Sequence, residues 1–189
     1  MIGVFDSGHG GLTVLRALKQ RIAGHGFAYL GDHAHAPYGE RNPAEIYGLT
    51  VANVERLFGL GCRLVLLACN TAAAVALRRL QQDWLPGAYP ERRVLGVFVP
   101  TIEAVTNVPW QIEGPVPAVL PAARLIGVFA TRRTVESGAY PREIARRAPQ
   151  VRVVQQACPG LVRHIEENAP ARAIAPLVEE FVAGLLAQA

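Results

Sequence analysis

The chain has 189 residues, of which 51% are apolar and 18% are charged, a balance that excludes a disordered or fibrous protein. Every apolar run is shorter than the ~18 residues of a membrane span, and the first residues lack the basic and apolar regions of a secretory signal. The net charge of +4 comes from arginines scattered among acidic residues, which favours solvated helix faces over a nucleic-acid surface. Three cysteines are too few for a disulfide framework, so we expect a reducing, cytoplasmic environment.

Short apolar runs alternate with amphipathic stretches, a pattern that predicts a parallel sheet covered by helices. In the first half of the chain, strands are predicted at residues 2–5, 27–31, 64–68 and 94–99. Helices are predicted between them at residues 12–22, 43–60 and 71–82. Asn42 is expected to cap the second of these helices, and Gly61 is expected to end it.

The second half begins with a proline-rich stretch, residues 107–123, in which we expect a loop or crossing segment. Strands are then predicted at residues 124–130 and 151–156, and helices at residues 136–147, 161–168 and 171–187. Four of the six residues at positions 2–7 recur at positions 126–131, in the same context of strand, turn and helix. The repeat predicts two related α/β lobes, residues 1–98 and residues 99–189.

Loops that follow the predicted strands are candidate ligand sites, because parallel sheets bind ligands at the carboxyl ends of their strands. The glycine-rich loop Asp6–Gly11 is expected to present backbone N–H groups to a carboxylate-sized anion. The alternative is a glycine-rich connection in which Asp6 simply caps the following helix. The turn Pro37-Tyr38-Gly39 is expected to offer N–H groups and a phenol to a small polar ligand. Asp32, His33 and His35 have chelating spacing, but no downstream cluster completes a site, so a metal is not favoured.

Cys69 is the sharpest feature of the sequence, because an apolar strand ends there and a small-residue helix begins at once. The helix N-terminus predicts a lowered pKa for its thiol, and a buried structural cysteine is the alternative. Asn70 and Thr71 add an amide and a hydroxyl that suit substrate oxygens or a substrate amine. Cys62 precedes the strand and is interpreted as structural. Lys19, the only lysine, lies among arginines on a predicted surface helix, so pyridoxal chemistry is not expected.

Three motifs together resemble the glutamate racemases, within the aspartate/glutamate racemase superfamily. They are Asp6-Ser7-Gly8-His9-Gly10-Gly11-Leu12-Thr13, Tyr29-Leu30-Gly31-Asp32 with Pro37-Tyr38-Gly39, and Ala68-Cys69-Asn70-Thr71-Ala72. In the second half, residues 126–131 with Thr134, Ser137 and Tyr140, and then Ala157-Cys158-Pro159, extend the resemblance to the end of the chain.

The resemblance implies two similar α/β lobes, each a parallel sheet flanked by helices, with the active site in the cleft between them. It also implies racemisation of glutamate without cofactor or metal, in which two thiols exchange the Cα proton from opposite faces. The D-glutamate so formed would feed peptidoglycan synthesis, and with it cell-wall biogenesis and cell shape. Among partners, the resemblance implies glutamate as a small-molecule substrate, without nucleic acid or membrane. The resemblance leaves open whether the protein forms a homodimer and whether its substrate is glutamate or aspartate.

Carried over by position, the resemblance makes Cys69 one acid or base and makes Asp6 the carboxylate that helps to activate it. Asp6 and Ser7 would contact the substrate amine. The rest of the first lobe's pocket would be formed by Pro37, Tyr38, Gly39, Asn70 and Thr71.

The sequence departs from the family pattern at His9 and His33, and it lacks the second catalytic motif, Gly-Cys-Thr-His. Cys158 matches a different, noncatalytic position. We therefore expect an incomplete racemase in which the second sheet has an uncovered edge and the 189 residues alone are a poor catalyst. The alternatives are a one-cysteine relative, such as a decarboxylase or isomerase, and a non-catalytic ligand-binding protein of the same fold.

Overall fold

The computed structural model describes residues 1–109 and 124–189. They form two compact units, which we call the first unit (Met1–Val97) and the second unit (Phe98–Ala189). Each unit contains a parallel sheet with helices around it, which confirms the predicted α/β class. Most of the predicted loop at residues 107–123 lies outside the described residues, and the cleft between lobes stays a prediction.

The first unit is built on a sheet of four parallel strands in the order β2-β1-β3-β4. The strands are β1 (Ile2–Asp6), β2 (Phe27–Gly31), β3 (Leu64–Leu67) and β4 (Arg93–Gly96). Phe5 of β1 pairs with Leu30 on one side and with Leu67 on the other. Val4 and Phe5 of β1 are fully buried. Because β1 has a neighbour on both edges, the loop that follows it lies at the middle of the sheet edge.

Helices connect these strands, as parallel pairing requires. They are α1 (Gly11–Arg21), α2 (Pro43–Gly59), α3 (Asn70–Arg79) and α4 (Leu85–Ala88), with a π-helical segment at Leu80–Trp84 and 3-10 turns at His33–His35 and Tyr38–Glu40. The two predicted signals of α2 are present. Asn42 Oδ1 accepts the Glu45 N–H over 2.8 Å, and Gly61 follows the helix with a φ of +86°.

In its described part, the second unit has two parallel strands, β5 (Leu125–Ala130) and β6 (Arg152–Ala157). Its helices are α5 (Phe98–Thr106), α6 (Arg132–Glu136), α7 (Ala139–Arg147), α8 (Leu161–Glu166) and α9 (Ala171–Leu186). Within the described ranges of the chain, no helix is both long and apolar enough to cross a membrane.

Two predicted elements are wrong in extent. The strand predicted at residues 94–99 ends at Gly96, because Phe98 already begins α5 and packs into the core with Ile102, one helical turn later. The helix predicted at residues 136–147 begins only at Ala139, as α7, and Glu136 instead ends the separate helix α6. Gly138 lies between them with a φ of +61°, a left-handed conformation that interrupts a right-handed helix.

Candidate active site

The carboxyl ends of β1 and β3 bring three predicted site residues to one edge of the first sheet. Pairing continues past the end of β3, because the Ala68 N–H donates to the Phe5 carbonyl over 2.8 Å. As a result, Ser7 Oγ lies 3.3 Å from Cys69 Sγ, within hydrogen-bond distance. Asp6, at the end of β1, is buried beside them and acts electrostatically on the Cys69 thiol. The structure thus brings Asp6, Ser7 and Cys69 together.

The start of α1 is packed closely against this group. A Cβ atom on Gly11 would lie 2.7 Å from the Asp6 Cβ and 3.1 Å from the Ala68 Cβ, so a side chain does not fit there. The residue that caps α1 is Gly10, without a side-chain bond, whereas Asp6 Oδ2 accepts the Gly8 N–H over 3.0 Å. The Asp6 carboxylate therefore shapes the glycine-rich loop and does not cap the helix.

Cys69 is both the N-cap of α3 and the thiol of the site. Its Sγ accepts the Ala72 N–H over 3.4 Å, and the residue is 6% exposed. Burial raises the pKa of the Cys69 thiol above its ordinary value of 9.0, and the charge of Asp6 raises it further. Hydrogen bonds from Ser7 and Ala72 oppose this shift without reversing it. The predicted lowering of the Cys69 pKa is therefore wrong, because burial outweighs the helix N-terminus.

The turn Pro37-Tyr38-Gly39 lies against α3. Tyr38 is 1% exposed, and its hydroxyl donates to Asp32 Oδ2 over 2.7 Å. Burial and the Asp32 carboxylate raise the pKa of the Tyr38 phenol, so the phenol stays protonated and remains a donor. The phenol is engaged inside the unit, contrary to the expectation that it faces a ligand. The backbone N–H groups of the turn are therefore the groups that we expect to contact a ligand.

Asn70 and Thr71 occupy the first positions of α3, directly after Cys69. Asn70 is exposed, whereas Thr71 is buried. The amide of Asn70 and the hydroxyl of Thr71 therefore belong to residues at the same end of α3 as the thiol. Their contact with a substrate stays a prediction.

His33 and His35, in the loop that follows β2, have different neighbours. His35 Nδ1 lies 2.7 Å from Asp32 Oδ1. The rings of His9 and His33 contact each other, with their centroids 4.1 Å apart and their planes tilted by 37°. Over the part of the chain that the structure describes, no three His, Cys, Asp or Glu residues are grouped so as to hold a metal ion. The two residues that depart from the family pattern, His9 and His33, are thus neighbours at the surface of the glycine-rich loop.

The sequence pattern indicated Asp32 only as part of a motif and as a disfavoured metal ligand, and it gave no indication of Asn53. Asp32 follows β2 and is buried, and it accepts hydrogen bonds from His35, Tyr38 and Asn53. The signal was a polar residue on the buried face of α2, the face on which Ile46 and Leu57 are fully buried.

The other two cysteines lie elsewhere in their units, and burial raises the pKa of both thiols. Cys62 precedes β3 and is therefore at the opposite edge of the first sheet. Cys158 follows β6, and its N–H donates to the Ala130 carbonyl over 2.9 Å. In the first unit, the Asp32 N–H makes the same bond to the Asp6 carbonyl over 3.0 Å. Cys158 thus occupies the position of Asp32 in the repeated unit, and not that of Cys69.

Comparison with known sequences finds glutamate racemases. The chain is 49% identical over 189 residues to the glutamate racemase of Phenylobacterium zucineum, a match that covers 97% of this chain and 67% of that protein. It is 52% identical over 167 residues to the glutamate racemase of Roseobacter denitrificans, covering 88% of this chain and 60% of the relative. The chain therefore spans about 60% to 67% of the length of the curated relatives it matches. No family model matches the chain.

Comparison with solved structures also finds glutamate racemases. The structure of the glutamate racemase from Francisella tularensis in complex with D-glutamate is similar with a TM-score of 0.79 and 28% identity, over 96% of this chain and 62% of the other. The glutamate racemase from Aquifex pyrophilus is similar with a TM-score of 0.74 and 32% identity, over 97% of this chain and 65% of the other.

Proposed function

The chain belongs to the glutamate racemase family, and from this we propose that it exchanges the Cα proton of glutamate with Cys69 as the acid or base on one face. The observation that carries the proposal is the buried Cys69 thiol, hydrogen-bonded to Ser7 and adjacent to Asp6 at the carboxyl edge of the first sheet. The relatives do not favour a decarboxylase or a non-catalytic binding protein.

The proposed step is a proton transfer in which the Cys69 thiolate removes the Cα proton. The C–H bond breaks, an S–H bond forms, and the electron pair left on Cα is delocalised into the substrate carboxylate. Inversion then needs an acid on the other face of Cα, which the family resemblance assigns to a second cysteine. For these 189 residues, whose sequence lacks that motif, we propose proton exchange on a single face.

Asp6 connects substrate binding to thiolate formation. Without substrate, burial and the Asp6 carboxylate both raise the pKa of Cys69, so the thiol is protonated at neutral pH. A substrate ammonium placed against Asp6 would neutralise the charge that acts on the sulfur. The thiolate would then form when an amino acid is bound, which limits side reactions of the empty site.

The remaining site residues are proposed to hold the substrate. Ser7 and Asp6 would contact the ammonium group, and Asn70 and Thr71 would contact substrate oxygens beside the start of α3. The turn Pro37-Tyr38-Gly39 would use its backbone, since the Tyr38 phenol is engaged by Asp32.

The wider setting is also proposed from the family. D-Glutamate made by the whole protein would enter peptidoglycan synthesis in the cytoplasm, and so support cell-wall biogenesis and cell shape. Glutamate is the proposed partner, with no nucleic acid or membrane, and assembly as a homodimer can be measured by light scattering.

The test is loss of the Cα–H NMR signal from L- and D-glutamate, incubated separately with the protein in D2O. We expect the unchanged chain to exchange the Cα proton of one enantiomer. Cys62→Ser, which alters a buried thiol at the opposite edge of the sheet, should do the same. We expect none by Cys69→Ser, because a serine hydroxyl is far less acidic than a thiol. Equal exchange by Cys69→Ser and Cys62→Ser would refute the assignment, and glutamate binding without exchange would support a non-catalytic binding protein.

A further inference from the structure

Asp32 is a buried carboxylate with an unusually full set of donors. His35 Nδ1 lies 2.7 Å from its Oδ1, and Oδ2 accepts the Tyr38 hydroxyl over 2.7 Å and the Asn53 amide over 2.9 Å. The side chain is 5% exposed. A carboxylate tolerates such burial only when it is hydrogen-bonded, and here the donors outweigh the cost, because the pKa of Asp32 is lowered despite its burial.

The three donors belong to three different pieces of the first unit. His35 ends one 3-10 turn, Tyr38 begins the next, and Asn53 lies in the middle of α2. Asn53 is itself oriented, because its amide also donates to the Leu49 carbonyl over 2.9 Å. One carboxylate therefore fixes the loop after β2 at two points and ties both to a helix that the core holds in place.

Tyr38 transmits this order to the site. Its ring packs on Phe5 of β1 with centroids 6.1 Å apart. The turn that it begins contacts α3, which starts at the carboxyl edge of the first sheet, beside Cys69. The loop has a second tie, in which Arg41 pairs with Glu45. That pair is partly exposed to solvent and so constrains the loop less than the buried Asp32 network does.

We propose that Asp32 is a positioning residue that sets the Pro37-Tyr38-Gly39 turn for glutamate binding without touching the substrate itself. The inference rests on the proposed function for the identity of the ligand. Asp32 is expected to affect the affinity for glutamate and not the proton transfer, because the contacts of its carboxylate run to the turn and to α2. Loss of the carboxylate should therefore raise the KM for glutamate and leave the rate at saturation nearly unchanged.

The test variant is Asp32→Asn, which keeps the shape but replaces one acceptor oxygen by an NH2 group. The side chain is then uncharged, so the bonds from the Tyr38 hydroxyl and the Asn53 amide are weakened even where the NH2 group donates to His35 Nδ1. We expect the KM for proton exchange to rise about tenfold, and the rate at saturation to fall by less than about threefold. Tyr38→Phe removes only the phenol contact and should raise KM by a smaller factor, which keeps the test valid if Asp32→Asn folds poorly.

Thr50→Val is the matched control. Thr50 is fully buried in α2, one turn before Asn53, and its hydroxyl donates to the Ile46 carbonyl over 2.7 Å. The variant disturbs the buried face of the same helix without removing any of the hydrogen bonds of Asp32, and its KM should stay unchanged. Equal KM shifts in Asp32→Asn and Thr50→Val, or a Tyr38→Phe variant with unchanged KM, would overturn the positioning role.

Glutamate affinity is also measured by calorimetry in a Cys69→Ser background, which separates binding from proton transfer. A drop in affinity on adding Asp32→Asn supports the inference even if Cys69→Ser proves to exchange as well as the unchanged chain, which would refute only the proposed function. Unchanged affinity with a working Cys69 refutes only the inference. A chain that binds no glutamate refutes both.

Discussion

The two units place nearly the same strand in different surroundings. In the first unit, Phe5 of β1 is fully buried between two neighbouring strands and the helices that cover them. In the second, the repeat-equivalent Phe129 of β5 is 46% exposed, and β5 pairs with β6 alone among the described residues. Local sequence sets the strand and the turn in both units, but the number of neighbouring elements decides how much apolar surface is buried.

The helices of the second unit show the same contrast. Large apolar side chains are exposed along α8 and α9, at Val162, Ile165, Val178, Val182 and Leu186. Since burial of apolar area is the main favourable term in folding, we expect the described part of the second unit to be less stable than the first unit. Hydrogen exchange should accordingly be faster in β5 and β6 than in β1 and β3.

The largest expected effect comes from the pair of repeat-equivalent phenylalanines. Phe5→Ala should lower the free energy of unfolding of the first unit by about 3–5 kcal/mol, because it empties a closed core. Phe129→Ala should cost about 1 kcal/mol or less in the second unit, because much of that ring already contacts water. Urea denaturation followed separately in each unit by hydrogen exchange measures both. Similar losses would show that the exposure of Phe129 does not describe the protein in solution.

A smaller effect distinguishes Asp32 from its counterpart, Cys158. Asp32→Asn should lower the free energy of unfolding at pH 7 by about 1–3 kcal/mol, because buried donors lose an acceptor. The pKa of Asp32 is lowered below its ordinary value of 3.8, so its contribution is present above that pH and is lost as the pH falls through the lowered value. The difference from the unchanged chain should therefore shrink in acid.

Cys158→Ser is the control for this prediction, since Cys158 makes the equivalent backbone bond but is not a carboxyl group. Its effect on stability should be the same at pH 7 and pH 3. A pH-independent effect of Asp32→Asn would contradict the prediction, because it would mean that folding leaves the pKa of Asp32 unchanged.

The smallest expected effect concerns the other repeat-equivalent pair, Asp6 and Ala130. Asp6→Asn removes a charge that raises the pKa of Cys69, so more thiolate is present at a given pH below that pKa. Alkylation of Cys69 by iodoacetamide at pH 8 should be faster in this variant, while Cys158, beside Ala130, should react at an unchanged rate. Slower alkylation of Cys69 would show that Asp6 activates the thiol even without substrate.

Much of this architecture was predictable, because buried parallel strands are short apolar runs bounded by turn residues. The runs at β2 and β3 were located to within one residue, and the Asn42 cap was identified from its side chain and the following proline. The extent of β4 was not predictable, since Phe98 continues an apolar run whose helical periodicity shows only over later residues. Gly138 carried the signal that divides α6 from α7, but its φ is known only from the structure.

The candidate site was predictable in its members and less so in its electrostatics. Strand order puts Asp6 and Cys69 at one edge, which follows from the pattern of parallel strands. The direction of the Cys69 pKa shift depends on burial by the surrounding elements, which local sequence does not report. The Asp32 network was missed because Asn53, a principal donor, is 21 residues away along the chain.

Because Cys69 caps α3 through its sulfur, the protonation state of the site is coupled to the end of a helix. A thiolate accepts a stronger hydrogen bond than a thiol, so the bond from the Ala72 N–H should tighten when Cys69 gives up its proton and relax when it regains it. The Ala72 amide is then an internal reporter, whose NMR resonance should shift with ionisation of the sulfur. A spectroscopist could follow that backbone signal to learn when the thiol is charged, without labelling or alkylating it.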